Sequence, residues 1–175
     1  EGVFSLVQGR GTEVGADLVK HPSIKAVAFT GSLAGGRALF DLAASRPEPI
    51  PVYAEMGSVN PVFLLPQALQ ERGVDLAEAF VASITLGVGQ FCTSPGLVFA
   101  IKGTALDVFV RKAEGLLAQT SPGVMLHAGI KQNFQQGIDQ LTQIKGVERV
   151  WSGSCAETGC LATPVLLKAS AETFL

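Results

Sequence analysis

Cys92 lies in GQFCTSPG, residues 89–96, with glycines on both sides of the thiol and Thr93 and Ser94 directly after it. A loop this rich in glycine leaves the side chain accessible and lets backbone N–H groups aim at a developing oxyanion. An inert core cysteine has no need of flanking glycines, so the composition points to a nucleophile. Glu55, in YAEMGSVNP, is an acid inside an apolar run, two residues before Gly57. It reads either as a strand-end carboxylate facing water or as a general base held near a dry site. In FTGSLAGG, residues 29–36, an apolar run ends in Thr-Gly-Ser and helix-forming residues follow at once. N–H groups at a helix N-terminus suit a phosphate, Gly31 lets the backbone approach closely, and Ser32 has a hydroxyl to donate. Plain N-capping by Ser32 accounts for the same residues. The full dinucleotide fingerprint is lacking, and no acidic residue follows at its usual spacing.

A Cys–His pair of the peptidase kind is the alternative for the cysteine loop, with Gln90 as an oxyanion-hole glutamine and His127 as base. Against it, the loop follows a helix instead of opening one, and no Asn or Asp stands near His127 in an orienting context. His21 and His127 otherwise read as surface or capping histidines. Cys92, Cys155 and Cys160 make an odd count in a chain with no recognisable secretion signal, which favours thiols in a reducing compartment. Cys155 and Cys160 are close in sequence, but no His or further Cys lies nearby to complete a tetrahedral set, so no metal site is expected.

The elements that must position these groups alternate. Residues 3–9, VFSLVQG, read as a short strand, TEVGADLVKHP as a helix carrying Val14, Leu18 and Val19, and IKAVAFT as a buried parallel strand. A helix with Leu39, Leu42 and Ala43 on one stripe follows. The proline-rich RPEPIP then marks a boundary. Two apolar runs, PVYAEM and NPVFLLP, precede a helix expected from about residue 75 to 86, with Ala77, Phe80, Val81 and Ile84 in register. Its low charge predicts that most of its surface is buried. LVFAIKG reads as a strand. Thr104 and Asp107 resemble a capping box opening a helix with Leu106, Phe109, Val110, Ala113 and Leu117 on one stripe. Ile130, Phe134, Ile138 and Leu141 define another helix, and VERVWSG and ATPVLLKAS are the last strand candidates. This order predicts a three-layer α/β protein.

Of the 175 residues, 47% are hydrophobic and only 16% charged, which suits a sizeable core and not a disordered chain. A net charge of -2 gives no electrostatic reason to expect nucleic acid or an anionic membrane as partner. No apolar run reaches the roughly 20 residues of a spanning helix. The abrupt start and end read as part of a longer protein.

Taken in order, FTGS after a strand, E-M-G with NP, and GQFC after a long helix resemble the aldehyde dehydrogenase superfamily. Its general patterns are F-T-G-S-x-x-x-G, E-L-G-G-K-x-P and G-Q-x-C. The 37 residues from Glu55 to Cys92 (92 − 55) match its spacing, and HPSIKAVAFTGS and LATPVLLK also resemble family segments, so the likeness covers essentially the whole chain. Met56, Ser58 and Val59 depart from the general pattern. They resemble the branch holding 2,5-dioxovalerate (α-ketoglutarate semialdehyde) dehydrogenases and a related NADP-dependent fatty aldehyde dehydrogenase.

The resemblance implies a three-layer αβα fold, with residues 1–50 ending a Rossmann-like NAD(P)-binding domain and residues 51–175 forming most of the catalytic domain. It implies Cys92 as nucleophile, with its backbone N–H as one oxyanion donor, and Glu55 as general base. Gly31, Ser32, Gly35 and Gly36 would lie against the cofactor pyrophosphate, and Met56 and Gly57 near the nicotinamide. The cofactor is NAD or NADP, NADP being favoured by the branch. Relatives that pass the acyl group to coenzyme A or phosphate generally lack the base, so Glu55 favours hydrolysis to an acid. The implied setting is a cytoplasmic homo-oligomer acting on a small aldehyde. The family's oxyanion asparagine, its first βαβ unit and its E-E-x-F-G-P segment are expected outside these residues. The isolated chain is therefore expected to lack dehydrogenase activity. A Cys-dependent hydrolase or a catalytically dead assembly domain are the readings from other classes.

Overall fold

The computed structural model describes residues 2–9, 11–154 and 159–175. Its architecture is α/β, and the chain folds as two compact units, Glu1–Ser58 and Val59–Leu175. The division falls eight residues (58 − 50) beyond the boundary expected from the proline-rich stretch. The strand carrying Glu55 is hydrogen-bonded to the strand before it and so belongs to the first unit.

In the first unit, α1 (Gly11–Lys20), β1 (Val27–Gly31), α2 (Leu33–Ala44) and β2 (Val52–Met56) follow in order. β1 and β2 pair in parallel, Thr30 beside Glu55 and Gly31 beside Met56. Strand alternation sorts the side chains: Val27, Phe29, Val52, Ala54 and Met56 are half-buried, while Thr30, Tyr53 and Glu55 are exposed. Helix α2 covers the apolar face, with Ala43 of its predicted stripe buried, Leu39 and Leu42 half-buried, and Gly36 buried beside them. Arg46 ties the unit together by donating to the carbonyls of Val19 (2.9 Å) and Ile24 (3.0 Å). Residues 3–9 form no strand; Val3, Phe4, Leu6 and Val7 are exposed. Their β-propensity has no partner strand here to satisfy it.

The second unit runs β3 (Val62–Leu64), α3 (Pro66–Thr85), β4 (Val98–Ala100), α4 (Thr104–Leu117), β5 (Gly123–Val124), α5 (Ala128–Gln143), β6 (Glu148–Ser152), β7 (Leu161–Ala162), β8 (Val165–Lys168) and α6 (Ala171–Phe174). β3 pairs in parallel with β4, whereas β5–β7 and β6–β8 are antiparallel. Helices α3 and α4 pack through Leu69, Ala77, Val81, Phe109, Ala113 and Leu117, with Leu64 of β3 in the same cluster. Phe80 and Phe109 meet at 5.7 Å between ring centroids.

Helix α3 starts nine residues earlier than expected (75 − 66). The missed start signal is Pro66 in the first turn; the interruption is Arg72, whose φ of -144° breaks the helix interior. Its low charge does not translate into burial on all sides. Only the stripe facing α4 is buried, and Val74, Ala79 and Ala82 are exposed. The capping box also fails. Thr104 is already helical, the N-cap is Gly103, and no side chain caps the end.

Leu117 is fully buried, so Leu117→Ala is expected to destabilise the unit by about 2–5 kcal/mol. Trp151, the single tryptophan, packs on the same cluster, so urea unfolding followed by its fluorescence reads this directly. A midpoint equal to that of the unsubstituted chain would remove Leu117 from the core.

Candidate active site

The strand–helix turn after β1 is built around three side chains, Ser32, Phe29 and Met56. Ser32 is the N-cap of α2, its Oγ accepting from the Gly35 N–H at 3.1 Å. At each glycine the place of a Cβ is taken by a neighbouring side chain. A Cβ on Gly31 would come within 2.6 Å of the Phe29 ring, and one on Gly35 within 3.1 Å of it. A Cβ on Gly36 would collide with the Met56 sulfur. Glycine at these positions therefore admits Phe29 and Met56 beneath the turn. What the turn does present outward is a helix N-terminus, where the first N–H groups have no intrahelical partner. An accepting Ser32 hydroxyl still has its own hydrogen to donate. These residues fit an anionic group such as a dinucleotide's pyrophosphate.

Glu55 stands at the end of β2, exposed, on the face that also carries Thr30 and Tyr53. Tyr53 is 70% exposed. Met56 turns to the opposite, half-buried face, and Gly57 follows with a φ of 74°.

The second unit carries the thiol. Helix α3 ends in a 3₁₀ turn, Leu86–Gly89, in which Gly87, Val88 and Gly89 all have positive φ (56°, 59° and 69°). Gly87 is required twice, for that φ and because the Phe91 ring lies where a Cβ would be. Val88 is a β-branched residue in the left-handed region, a conformation costing roughly 1–2 kcal/mol. Its side chain packs over Gly123, where a Cβ would come within 2.5 Å of Val88 Cγ2. That packing holds a conformation valine would not choose alone.

Gln90 locks the reversal. Its Nε2 donates to the Gly87 carbonyl at 2.9 Å, and its Oε1 accepts from the Leu126 N–H at 2.9 Å. The chain then makes a tight turn closed by Ser94 N–H donating to the Phe91 carbonyl at 3.0 Å. Cys92 occupies the first corner of this turn, exposed and outside any disulfide. Beyond it, the Gly96 N–H donates to the Val59 carbonyl at 2.7 Å, and a Cβ on Gly96 would sit 2.9 Å from that oxygen. Only glycine permits so close an approach.

Sequence reasoning overlooked Asn60. Its Nδ2 donates to the Cys92 carbonyl at 2.6 Å and to the Ser94 carbonyl at 3.2 Å. The sequence-level hint was its place in the NP pair of YAEMGSVNP; its φ of 47° lies in the left-handed region, which asparagine tolerates.

The base assigned to the peptidase alternative is engaged in capping a helix. His127 is the N-cap of α5, with Nδ1 accepting from the Ile130 N–H at 3.3 Å. A nitrogen that accepts there carries no hydrogen, so the neutral ring carries it on Nε2. In a Cys–His pair the accepting nitrogen would take the thiol's proton, whereas Nδ1 of His127 accepts from the Ile130 N–H. His21 likewise accepts from a nearby backbone N–H, that of Ser23, at 3.2 Å. Cys155 lies outside the described residues, and Cys160 is half-buried. Among the described residues no three His, Cys, Asp or Glu side chains converge as a metal site, and no helix is long and apolar enough to cross a membrane.

The aldehyde dehydrogenase family profile matches residues 1–171, and the chain belongs to that family. It is 51% identical over 174 residues to alpha-ketoglutaric semialdehyde dehydrogenase 2 of Azospirillum brasilense, a match covering 99% of this chain and 33% of that protein. It is 46% identical over 174 residues to the alpha-ketoglutaric semialdehyde dehydrogenase of Acinetobacter baylyi, with the same coverage. Among solved structures, a lactaldehyde dehydrogenase superposes with a TM-score of 0.81 at 25% identity, over 95% of this chain and 36% of that one. An NAD-dependent benzaldehyde dehydrogenase from Corynebacterium glutamicum shares the fold, with a TM-score of 0.75 at 24% identity over 91% of this chain and 35% of that one. The chain spans about a third of the length of the curated relatives it matches.

Proposed function

We propose that the protein to which this chain belongs oxidises α-ketoglutarate semialdehyde to α-ketoglutarate, with Cys92 as nucleophile and Glu55 as general base. The observation that carries the reading is the exposed Cys92 thiol on a turn pinned from both sides. The 46–51% identity to relatives named for that semialdehyde supports the substrate.

The Cys92 sulfur attacks the aldehyde carbon and forms a thiohemiacetal. A bound nicotinamide cofactor supplies the hydride acceptor, NADP being favoured over NAD by the likeness of Met56, Ser58 and Val59 to the branch. Loss of the hydride from the thiohemiacetal carbon, with its hydroxyl proton released to solvent, would leave the acyl group on Cys92 as a thioester. Glu55 takes a proton from water, the water oxygen attacks the thioester carbon, and the carboxylic acid leaves as the Cys92 thiolate is restored. Ser32, with the α2 N-terminus and the turn through Gly31, Gly35 and Gly36, would hold the pyrophosphate. The backbone at Met56 and Gly57 would border the nicotinamide. The working form is a cytoplasmic homo-oligomer.

The test is a kcat/KM panel on the full-length protein with NAD and with NADP. α-Ketoglutarate semialdehyde is expected to be preferred by at least about tenfold over succinate semialdehyde and long-chain aldehydes. The isolated 175-residue chain is expected to give no NAD(P)H above background. A preference for long-chain aldehydes would replace the substrate with that of a fatty aldehyde dehydrogenase.

A further inference from the structure

The segment Val59–Asn60 grips the cysteine loop with three hydrogen bonds. Val59 accepts from the Gly96 N–H, and Asn60 donates to the carbonyls of Cys92 and Ser94. Both of those partners are carbonyl oxygens, which only accept, so the amide nitrogen of Asn60 must face them. The two bonds bracket the half of the turn that follows the thiol. The Cys92 carbonyl belongs to the peptide joining Cys92 to Thr93, so holding it fixes the backbone rotation on the C-terminal side of the Cys92 Cα. The Phe91–Ser94 hydrogen bond and the Gln90 lock fix the N-terminal side. With both rotations set, the direction of the Cys92 Cα–Cβ bond is set as well.

We propose that Asn60 is the positioning residue for the Cys92 nucleophile, its carboxamide aiming the thiol by holding the Cys92 and Ser94 carbonyls. The proposal rests on the reading of Cys92 as nucleophile. It assigns Asn60 no contact with substrate. Nucleophilic attack within a bound complex requires near-attack geometry, and small misplacements cost rate out of proportion to any change in binding. A small alkylating reagent diffusing to an exposed thiol has no such requirement. Loss of the carboxamide should therefore slow turnover and spare alkylation.

Two variants of the full-length protein separate the carboxamide from the backbone. Asn60→Gly keeps the positive φ accessible and removes the donor. Asn60→Asp keeps the shape but presents an acceptor to two carbonyl oxygens. Each is compared with the unsubstituted enzyme for kcat and KM with the preferred aldehyde, for thermal midpoint, and for iodoacetamide alkylation of Cys92 read by peptide mass. The expected result is a kcat lower by about 10–100-fold in both, KM within about threefold, and alkylation within about threefold. Asn60→Gly keeps the test sound should Asn60→Asp fold poorly. A kcat within twofold in Asn60→Gly overturns the proposal, as does a loss confined to KM or one that tracks a fall in folded protein. Cys92→Ala is run beside them. Activity retained in Cys92→Ala would sink the nucleophile reading itself, whereas activity lost there but kept in Asn60→Gly would sink the positioning role alone.

Discussion

Cys92→Ser in the full-length protein is expected to lower kcat for aldehyde oxidation by about a thousandfold or more, with the thermal midpoint unchanged. Serine replaces sulfur by oxygen at nearly the same shape, so the turn, the Asn60 bonds and the Gln90 lock survive. What is lost is nucleophilicity. A thiol is partly thiolate near neutral pH and intrinsically reactive, whereas a hydroxyl needs an adjacent base to attack at all. No residue in the cysteine loop supplies such a base, since His127 spends its Nδ1 lone pair capping α5. The side chain is exposed at a turn corner, so no core packing is at stake and lost activity cannot be ascribed to unfolding. NAD(P)H formation at saturating aldehyde measures it, with Cys160→Ser expected to stay within about twofold of the unsubstituted enzyme. A Cys92→Ser rate within tenfold of the original would end the nucleophile reading and favour a role for this domain in assembly.

The second large effect divides the reaction in two. Glu55→Gln keeps the size of the side chain and removes the base. Steady-state kcat should fall by about 10²–10⁴-fold, while the first turnover persists as a burst of NAD(P)H approaching one per active site. The difference arises because attack by Cys92 requires no base at Glu55, whereas water is too weak a nucleophile to open the thioester without one. The trapped acyl group should be visible as added mass on the Cys92 peptide. Glu55 is exposed on the face of β2 away from α2, so the substitution should leave stability alone. If burst and steady state slow together, Glu55 acts before the thioester forms. If neither slows, it is a strand-end carboxylate and nothing more.

Local pattern carried much of the fold. Where periodicity ran long, element type followed from it: the stripes of α2, α4 and α5 place Ala43, Phe109, Ala113 and Leu117 inside and Ile130, Phe134 and Ile138 at least half inside, although Leu141 at the end of the α5 stripe is exposed. The failures were at ends and at residues lacking partners. Thr104 sits one position too far into α4 to cap it, and cap identity depends on a single residue's backbone angles. Residues 3–9 have strand composition, but a strand exists only when another chain segment completes its hydrogen bonds.

The candidate site divides along the same line. Residue types and order determined which groups carry chemistry: a thiol among glycines, an acid in an apolar run, a Thr-Gly-Ser turn before a helix. These were legible because reactivity belongs to the side chain itself and loop composition is local. Only the tertiary structure decided what holds them. The spaces at Gly31, Gly35 and Gly36 are filled by Phe29 and Met56, and Val88 is kept left-handed by Gly123. Asn60 reaches Cys92 across 32 residues of sequence. Such contacts join positions that no window along the chain contains. The fillings at Gly31, Gly35 and Gly36 form within the first unit, and the Asn60–Cys92 contact forms only when α3 has returned the chain to the start of β3, where β4 pairs with it.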